Sequence, residues 1–141
     1  PANVLVSREG RVKLLDFGIA KLLDPEQFPH AAPPTRTESR ALTRDYASPE
    51  QIRGEGIGTA SDVYQLGLLL YELASGKHPF NRMQATAARD MRPKIKLKRP
   101  KRLSRHAWPY VRKALSFDPE HRSVSIAQLR EALTVKPGFW G

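Results

Sequence analysis

The sequence contains no cysteine among its 141 residues. This absence excludes disulfide bonds, thiolate metal sites and a cysteine nucleophile. The four histidines are scattered without metal-ligand spacing, so solvated or core roles fit them better than a zinc site. No stretch has the pattern of a secretory signal, and no apolar run approaches the roughly 20 residues of a membrane-spanning helix.

Acidic residues are scarce, and the resulting positive charge is local. The formal net charge is +10, and residues 89–105 (RDMRPKIKLKRPKRLSR) hold 9 of the 24 Lys and Arg residues but 1 of the 14 acidic ones. The favoured interpretation of this stretch is a solvated loop between helices. The alternative is a docking surface for acidic partners, phosphorylated segments or nucleic acid. Since the nearby Trp108 and Tyr110 fit a helix face, we do not expect nucleic-acid binding.

The stretch 61–75 (SDVYQLGLLLYELAS) predicts the central helix. Its apolar residues occupy nearly every side, which is typical of a helix buried by its neighbours. Ser61 or Asp62 is expected to cap the first turn, and Gly76 is expected to end the helix in a left-handed conformation before Pro79. With 40% hydrophobic residues, the chain can form one modest core around this helix.

The remaining segments predict a hairpin, a loop and several short helices. Alternating apolar runs predict strands at 3–6 and 11–15, and the Pro-rich segment 24–41 predicts a loop. Ser125 and Gln128 form a capping-box pattern for a last helix that turns Ile126, Leu129 and Leu133 inward. Further helical segments are expected after Thr43, at 82–91, and from a Ser104 cap to about Phe117.

The order and spacing of five short motifs resemble a known family. These motifs are Asn3 before the hairpin, Asp16-Phe17-Gly18 after it, Ser48-Pro49-Glu50 within YASPEQ, Asp62 in the central helix, and Asp118-Pro119 with Arg122. Together they resemble the C-terminal lobe of a protein kinase of the Ser/Thr type, and most closely the bacterial eukaryotic-like kinases. The implied fold class is α+β, mostly α-helical with a small β-hairpin. The kinase lobe would span 1–134, followed by a tail at 135–141.

The resemblance implies ATP-dependent phosphorylation of Ser or Thr on proteins, with Mg²⁺ as the metal. Asn3 and Asp16 match the two metal ligands, and hard Mg²⁺ prefers such oxygen donors. Leu5 matches the position beneath the adenine ring, and an ordinary core position is compatible with that role. Thr43 matches the threonine that bonds the catalytic Asp in Ser/Thr kinases, although Leu42 replaces the glycine that commonly precedes it.

Further positions have structural roles in the family. Phe17 matches the apolar plug of the active state, and Gly18 gives the backbone freedom to move. Glu50 and Arg122 match an ion pair that ties the activation segment to the last helices. Asp62 matches the aspartate that holds the catalytic loop through backbone N–H groups.

The chain departs from a complete kinase domain at its first residue. It begins at Pro1, after the His-Arg-Asp triplet that carries the family's catalytic base, so we expect a fragment or processed product. The missing N-lobe would be a partner of this chain, and the chain alone is expected to be inactive. Protein substrates and ATP are the other expected partners. We expect a cytoplasmic location and no direct membrane contact by this segment.

Two alternatives and one regulatory hypothesis remain open. The chain could belong to a pseudokinase or scaffold, although Asn3 and Asp16 argue against lost metal binding. Its main role could instead be the basic docking surface at 89–105. Thr35, Thr37 and Ser39 lie beside arginines in the Pro-rich loop, so they are candidate phosphosites.

Overall fold

The computed structural model describes residues 4–14, 45–83, 87, 90 and 95–134. The chain divides into two compact units, 1–43 and 44–141, and each is described by itself. The first contains a two-stranded antiparallel sheet, and the second contains four α-helices among the described residues.

The first unit is built on a β-hairpin. Strand β1 (Val4–Val6) pairs with β2 (Val12–Leu14), with Val4 opposite Leu14 and Val6 opposite Val12. The turn closes through a 2.8 Å hydrogen bond from the Ser7 N–H to the Arg11 carbonyl. Gly10 has φ 78°, a left-handed conformation that glycine adopts without strain. The predicted hairpin is confirmed over these residues.

The hairpin exposes much of its apolar surface. Leu5 is 50% exposed, and Val6 and Val12 are each about two-thirds exposed. Leu5 is therefore not a core residue in the part of the chain that the structure describes.

Helix α1 (Pro49–Arg53) begins the second unit with a complete capping box. The Ser48 hydroxyl accepts from the Gln51 N–H at 3.3 Å, and the Gln51 side chain accepts from the Ser48 N–H at 2.8 Å. Gly54 ends the helix in a left-handed conformation. These reciprocal bonds let a five-residue helix keep a defined start.

The central helix α2 (Thr59–Ser75) begins two residues earlier than predicted. Gly58 is its N-cap and makes no side-chain capping bond, so the expectation that Ser61 or Asp62 caps the helix is wrong. Asp62 instead lies in the first turn and is exposed, where a negative charge suits the helix dipole. Gly76 ends the helix as predicted, and its N–H bonds the Glu72 carbonyl at 2.7 Å.

Burial of α2 is one-sided rather than complete. Val63, Tyr64 and Leu68 are each at most 2% exposed, whereas Leu73 is 66% exposed. The expectation of burial on nearly every side is therefore wrong at Leu73.

Helices α2 and α3 (Trp108–Ala114) approach closely at Gly67. A Cβ atom at Gly67 would lie 3.0 Å from the Ala114 Cβ and 3.3 Å from Leu115 Cδ2. The absence of a side chain thus sets the spacing of the two helices. Among the described residues, thirteen buried side chains form the core around this contact: Val63, Tyr64, Leu68, Phe80, Leu103, Ala107, Val111, Ala114, Leu115, Phe117, Val124, Leu129 and Ala132.

The helix predicted from Ser104 to Phe117 is shorter in the structure. Ser104 makes the predicted capping bonds, since its hydroxyl accepts from the Ala107 N–H at 3.0 Å and its carbonyl from the Trp108 N–H at 3.1 Å. The turn that they close is not regular helix, and α3 itself begins at Trp108 and ends at Ala114. Beyond a 3₁₀ turn at Pro119–His121, helix α4 (Ile126–Thr134) has the predicted bounds. Ser125 and Gln128 form the predicted reciprocal bonds, at 2.8 and 3.1 Å.

The predicted inward face of α4 is only partly correct. Leu129 is 1% exposed, but Ile126 and Leu133 are more than 40% exposed. The small Ala132 takes the second buried position, at 2% exposure, because α4 packs on α3 by a narrow face.

Most of the helix predicted at 82–91 lies outside the described residues. It does not begin at Arg82, which has φ 57° and lies in a turn. In the described part of the chain, no helix is long and apolar enough to cross a membrane.

Candidate functional site

A buried ion pair joins the start of α1 to the segment before α4. The Arg122 Nη1 and Nη2 atoms lie 2.5 and 2.8 Å from the two Glu50 carboxylate oxygens. The Arg122 side chain is fully shielded from solvent, and that of Glu50 is 3% exposed. Two parallel charge-assisted bonds fix the relative orientation of both groups as well as their distance.

The five N–H donors of Arg122 are all used. Besides the two bonds to Glu50, Nε donates to the Ser116 carbonyl at 2.6 Å, and Nη1 and Nη2 each donate to one further carbonyl at 3.0 Å. Those carbonyls belong to Ala60 and Phe117. Because a guanidinium has five donors in a fixed plane, no other side chain could satisfy this set.

Ser61 completes the carboxylate's environment. Its hydroxyl donates to Glu50 Oε1 at 2.7 Å, and the residue is 1% exposed. Burial raises the pKa of the Glu50 carboxyl, but hydrogen bonds from Arg122, from its own backbone N–H and from Ser61 outweigh burial, and the pKa falls to about 2. Glu50 is therefore an anion at neutral pH and serves as a structural anchor.

Tyr64 covers the cation from the central helix. The Arg122 guanidinium carbon lies 4.8 Å from the centre of the Tyr64 ring, within range of a cation–π contact. Burial raises the pKa of the Tyr64 hydroxyl, which stays neutral. The pair is thus enclosed by α1, α2 and the segment before α4.

A second polar cluster connects the segment before α1 to the end of α2. The Tyr46 hydroxyl donates to Glu72 Oε2, and Arg82 Nη2 donates to Glu72 Oε1 at 3.1 Å. Arg82 Nη1 also lies 3.5 Å from an Asp45 carboxylate oxygen. Burial is the largest effect on the Tyr46 hydroxyl, and the hydrogen bond with Glu72 and the negative charge of Glu72 act in the same direction. Together they raise the pKa of Tyr46 to about 12.

His78 organises the turn after α2 in its neutral form. Its Nδ1 accepts two backbone N–H bonds, from Phe80 at 3.2 Å and from Arg82 at 3.1 Å. Because Nδ1 accepts both, Nε2 carries the proton and donates to the Asp45 carbonyl at 3.0 Å. Burial, which is the largest effect, lowers the pKa of His78.

The predicted site residues divide into two groups. Glu50 and Arg122 are brought together, Asp62 is exposed on α2, and Leu5 is half exposed on β1. The others lie outside the described residues: Asn3, Asp16, Phe17, Gly18, Thr35, Thr37, Ser39 and Thr43.

Several partners of the site were missed by sequence reasoning. The sequence predicts a capping role for Ser61, whereas its hydroxyl bonds Glu50. Tyr64 lies in the core, and its ring also covers the Arg122 guanidinium, a contact that no sequence pattern reveals. The cluster of Tyr46, Glu72 and Arg82 spans residues far apart in sequence, and no local pattern marks it. The bonds of His78 depend on a turn geometry that the sequence does not encode in a recognisable motif.

Comparison with protein-family models identifies the family of this chain. The protein kinase domain model matches residues 1–133, which include both Glu50 and Arg122. The chain belongs to the protein kinase family. Within this family its likeness extends to bacterial and plant members.

Three relatives illustrate this range. The serine/threonine-protein kinase PknA of Mycobacterium tuberculosis is 48% identical over 80 residues, covering 57% of this chain and 17% of the relative. The serine/threonine-protein kinase PknB of Mycolicibacterium smegmatis is 35% identical over 137 residues, covering 94% of this chain and 21% of the relative. The serine/threonine-protein kinase AtPK1/AtPK6 of Arabidopsis thaliana is 35% identical over 126 residues, covering 86% of this chain and 24% of the relative. The chain thus spans less than a quarter of the length of these relatives.

Proposed function

We propose that this chain is the C-terminal lobe of a serine/threonine protein kinase domain that transfers phosphate from ATP to protein hydroxyls. The observation that carries the proposal is the Glu50–Arg122 pair within a chain that matches the kinase model over residues 1–133. The pair joins two of the sequence motifs that the family resemblance rests on. All three relatives described above bear the name serine/threonine-protein kinase.

Asn3 and Asp16 are the proposed ligands of Mg²⁺, and Leu5 is the proposed contact for adenine. The hairpin supports the metal assignment because it pairs Val4, next to Asn3, with Leu14, two residues before Asp16. Amide and carboxylate oxygens are the donors that Mg²⁺ prefers. The exposure of Leu5 leaves its side chain accessible to a ligand. When bound, the metal would neutralise charge on the phosphates.

Glu50 and Arg122 are proposed to hold the protein-substrate side of the domain in place. Thr43 lies seven residues before Glu50 in the sequence, and the proposed role of its hydroxyl is to bond the catalytic Asp. Ser48, Pro49 and Glu50 are all buried, so α1 provides a fixed support for the segment that precedes it. Phe17 and Gly18 are proposed as the apolar plug and the hinge of the same segment. Asp62 is proposed to accept backbone N–H bonds from the catalytic loop.

A pseudokinase or scaffold is the alternative function. Such proteins often lose their metal ligands, whereas this sequence has Asn3 and Asp16 at both motif positions. The two functions differ in phosphate transfer, which an assay can measure directly.

The test is a transfer assay on two proteins. One is the 141-residue chain, and the other is the same chain extended by the sequence that precedes Pro1 in its gene. With Mg²⁺ and labelled ATP, we expect the extended protein to label itself or a protein substrate on Ser and Thr, and the 141-residue chain to transfer nothing. Binding of ATP without any transfer by the extended protein would assign a pseudokinase instead.

The Pro-rich loop is proposed as the place of autophosphorylation, at Thr35, Thr37 or Ser39. A phosphate carries about −2 charge. The neighbouring Arg36 and Arg40 can form ion pairs with it and so order the loop. Mass spectrometry of the active extended protein should find phosphate at one of these hydroxyls. Full activity of the triple Ala variant would leave the loop without a regulatory role.

A further inference from the structure

The basic stretch is held firmly on the core over the residues that the structure describes. The side chains of Ile95 and Leu97 pack against the core, and Leu103 is 4% exposed. The Tyr71 hydroxyl donates to the Lys98 carbonyl at 3.1 Å, and Arg99 Nη1 donates to the Leu103 carbonyl. The segment 95–103 is therefore a loop with exposed cations, as predicted, and it is anchored on the core by these contacts.

The positive charge of residues 95–117 is not offset by acidic residues within that stretch. Residues 95–117 contain eight Lys and Arg residues and no Asp or Glu. Apart from Arg99, whose bonds go to backbone carbonyls, these cations are exposed and none forms an ion pair among residues 4–14, 45–83 and 95–134: Lys96, Lys98, Lys101, Arg102, Arg105, Arg112 and Lys113. Like charges held together repel one another, so an anionic partner would relieve this cost.

A groove opens beside two of these cations, Arg112 and Lys113. It has a volume of about 460 Å³, and polar atoms form most of its exposed lining. Ile95 and Leu97 contribute partly exposed apolar side chains, whereas Phe80, Leu115 and Phe117 are at most 6% exposed. The other three lining residues are Arg112, Lys113 and Ser116. We call this cavity, with Arg112 and Lys113 in its lining, the basic groove.

We propose that the basic groove docks an acidic segment of a partner protein, with one or two apolar side chains of that segment seated in the groove. The cations supply complementary charge, and the partly exposed Ile95 and Leu97 side chains add the selectivity that a uniform charged surface lacks. Because the loop is already anchored on the core, little conformational entropy of this chain is lost on binding. The docking function is independent of phosphate transfer.

A peptide fits this surface better than nucleic acid or a lipid surface. Proteins that bind single-stranded nucleic acid stack bases on exposed aromatic rings, whereas here Trp108 and Tyr110 are only partly exposed and pack against the core. Phosphate backbones and lipid headgroups would use the cations but leave Ile95 and Leu97 without an apolar partner. The combination of groove and charge therefore favours an acidic segment with apolar residues.

The test measures binding of labelled peptides to the 141-residue chain by fluorescence anisotropy. The probe is a peptide of about 12 residues with Phe-Leu flanked by Glu and Asp, and its sibling has Ser-Ser in place of Phe-Leu. We expect the probe to bind at least about tenfold more tightly than its sibling, since burying two apolar side chains is worth at least that ratio.

Two triple variants locate the site. Lys96→Gln/Arg112→Gln/Lys113→Gln neutralises the basic groove, and Lys13→Gln/Lys77→Gln/Arg130→Gln removes the same charge from exposed positions elsewhere. We expect the first to weaken binding by about tenfold and the second by less than about threefold. Circular dichroism of both variants checks that they remain folded.

Three results would overturn the proposal. Equal weakening by the two triple variants would mean that only net charge attracts the peptide. Equal binding of the probe and its sibling would show that the groove takes no apolar side chain. Displacement of the probe by a DNA duplex or a phosphatidylserine vesicle at lower concentration than by unlabelled probe would assign the surface to another partner.

Discussion

Arg122 and Glu50, 72 residues apart in the chain, form a two-point ion pair that solvent hardly reaches. Through this one cation, α1 is connected to the Ala60 carbonyl at the start of α2 and to the Ser116 and Phe117 carbonyls after α3. A buried pair of this kind contributes modestly as a pair, but removing one partner leaves a buried charge alone.

Arg122→Ala should therefore lower the free energy of unfolding by about 3–5 kcal/mol. Arg112→Ala, at an exposed position on α3, should change it by no more than about 0.5 kcal/mol. The free energy of unfolding of Arg122→Lys should lie between those of the two Ala variants, because an ammonium has three donors for five acceptor positions. Denaturant unfolding measures all three, and equal midpoints for the two Ala variants would contradict the buried-anchor interpretation.

The depressed pKa of Glu50 predicts acid sensitivity. The folded chain holds this pKa at about 2, below the 4.5 of a free glutamate, so the carboxylate stabilises the fold above pH 4.5 and loses this effect as the pH falls towards 2. The stability lost over that window is of the order of 3 kcal/mol. Glu50→Gln should be less stable at pH 7 and show a flatter decline between pH 4.5 and 2. A decline as steep in this variant as in the wild type would assign the acid sensitivity to other carboxyls.

His78 predicts a second decline at milder pH. Because burial lowers its pKa in the fold, the unfolded chain takes up the proton first, and stability falls as the pH drops below about 6.5. The slope contributed by this single site is at most about 1.4 kcal/mol per pH unit. His78→Asn places an amide oxygen near the position of Nδ1 and does not titrate. The stability of this variant should therefore depend less on pH over this range. NMR titration of the ring should show a pKa below 6.5, and a value above it would contradict the assigned tautomer.

Gly67→Ala tests the close approach of α2 and α3. Alanine favours a helix over glycine by about 1 kcal/mol, but its Cβ would lie 3.0 Å from the Ala114 Cβ, which a helix backbone holds in place. We expect overpacking to outweigh the propensity and to destabilise the fold by about 1–3 kcal/mol. Gly56→Ala is the control, because its Cβ would meet nothing within 4 Å. Stabilisation by Gly67→Ala would show that the helices can separate freely.

Local sequence patterns predicted the secondary-structure elements better than they predicted the tertiary contacts and burial of those elements. The hairpin, the Gly76 stop and the Ser125–Gln128 cap depend on a few adjacent residues, and the structure contains all three. The caps assigned to Ser61 and Asp62 failed because Ser61 has a tertiary partner, Glu50, that no local pattern reveals. Likewise, periodicity suggests that Leu133 faces inward, but burial depends on the width of the face that α3 covers.

Sequence motifs predicted the Glu50–Arg122 pair of the candidate site, but they did not predict its other contacts. The resemblance named Glu50 and Arg122 as partners, while the carbonyls that receive the other Arg122 donors depend on how three segments meet. The Tyr46–Glu72–Arg82 cluster likewise forms only when the turn after α2 folds back.

The most direct measurement of the central claim is phosphate transfer by the Asp16→Ala variant of the N-terminally extended protein. Asp16 is the proposed Mg²⁺ ligand, so its loss should reduce incorporation of labelled phosphate into Ser and Thr by at least about a hundredfold. Asp90→Ala removes an exposed carboxylate and should leave transfer unchanged. Undiminished transfer by Asp16→Ala would contradict the proposed magnesium-dependent kinase site.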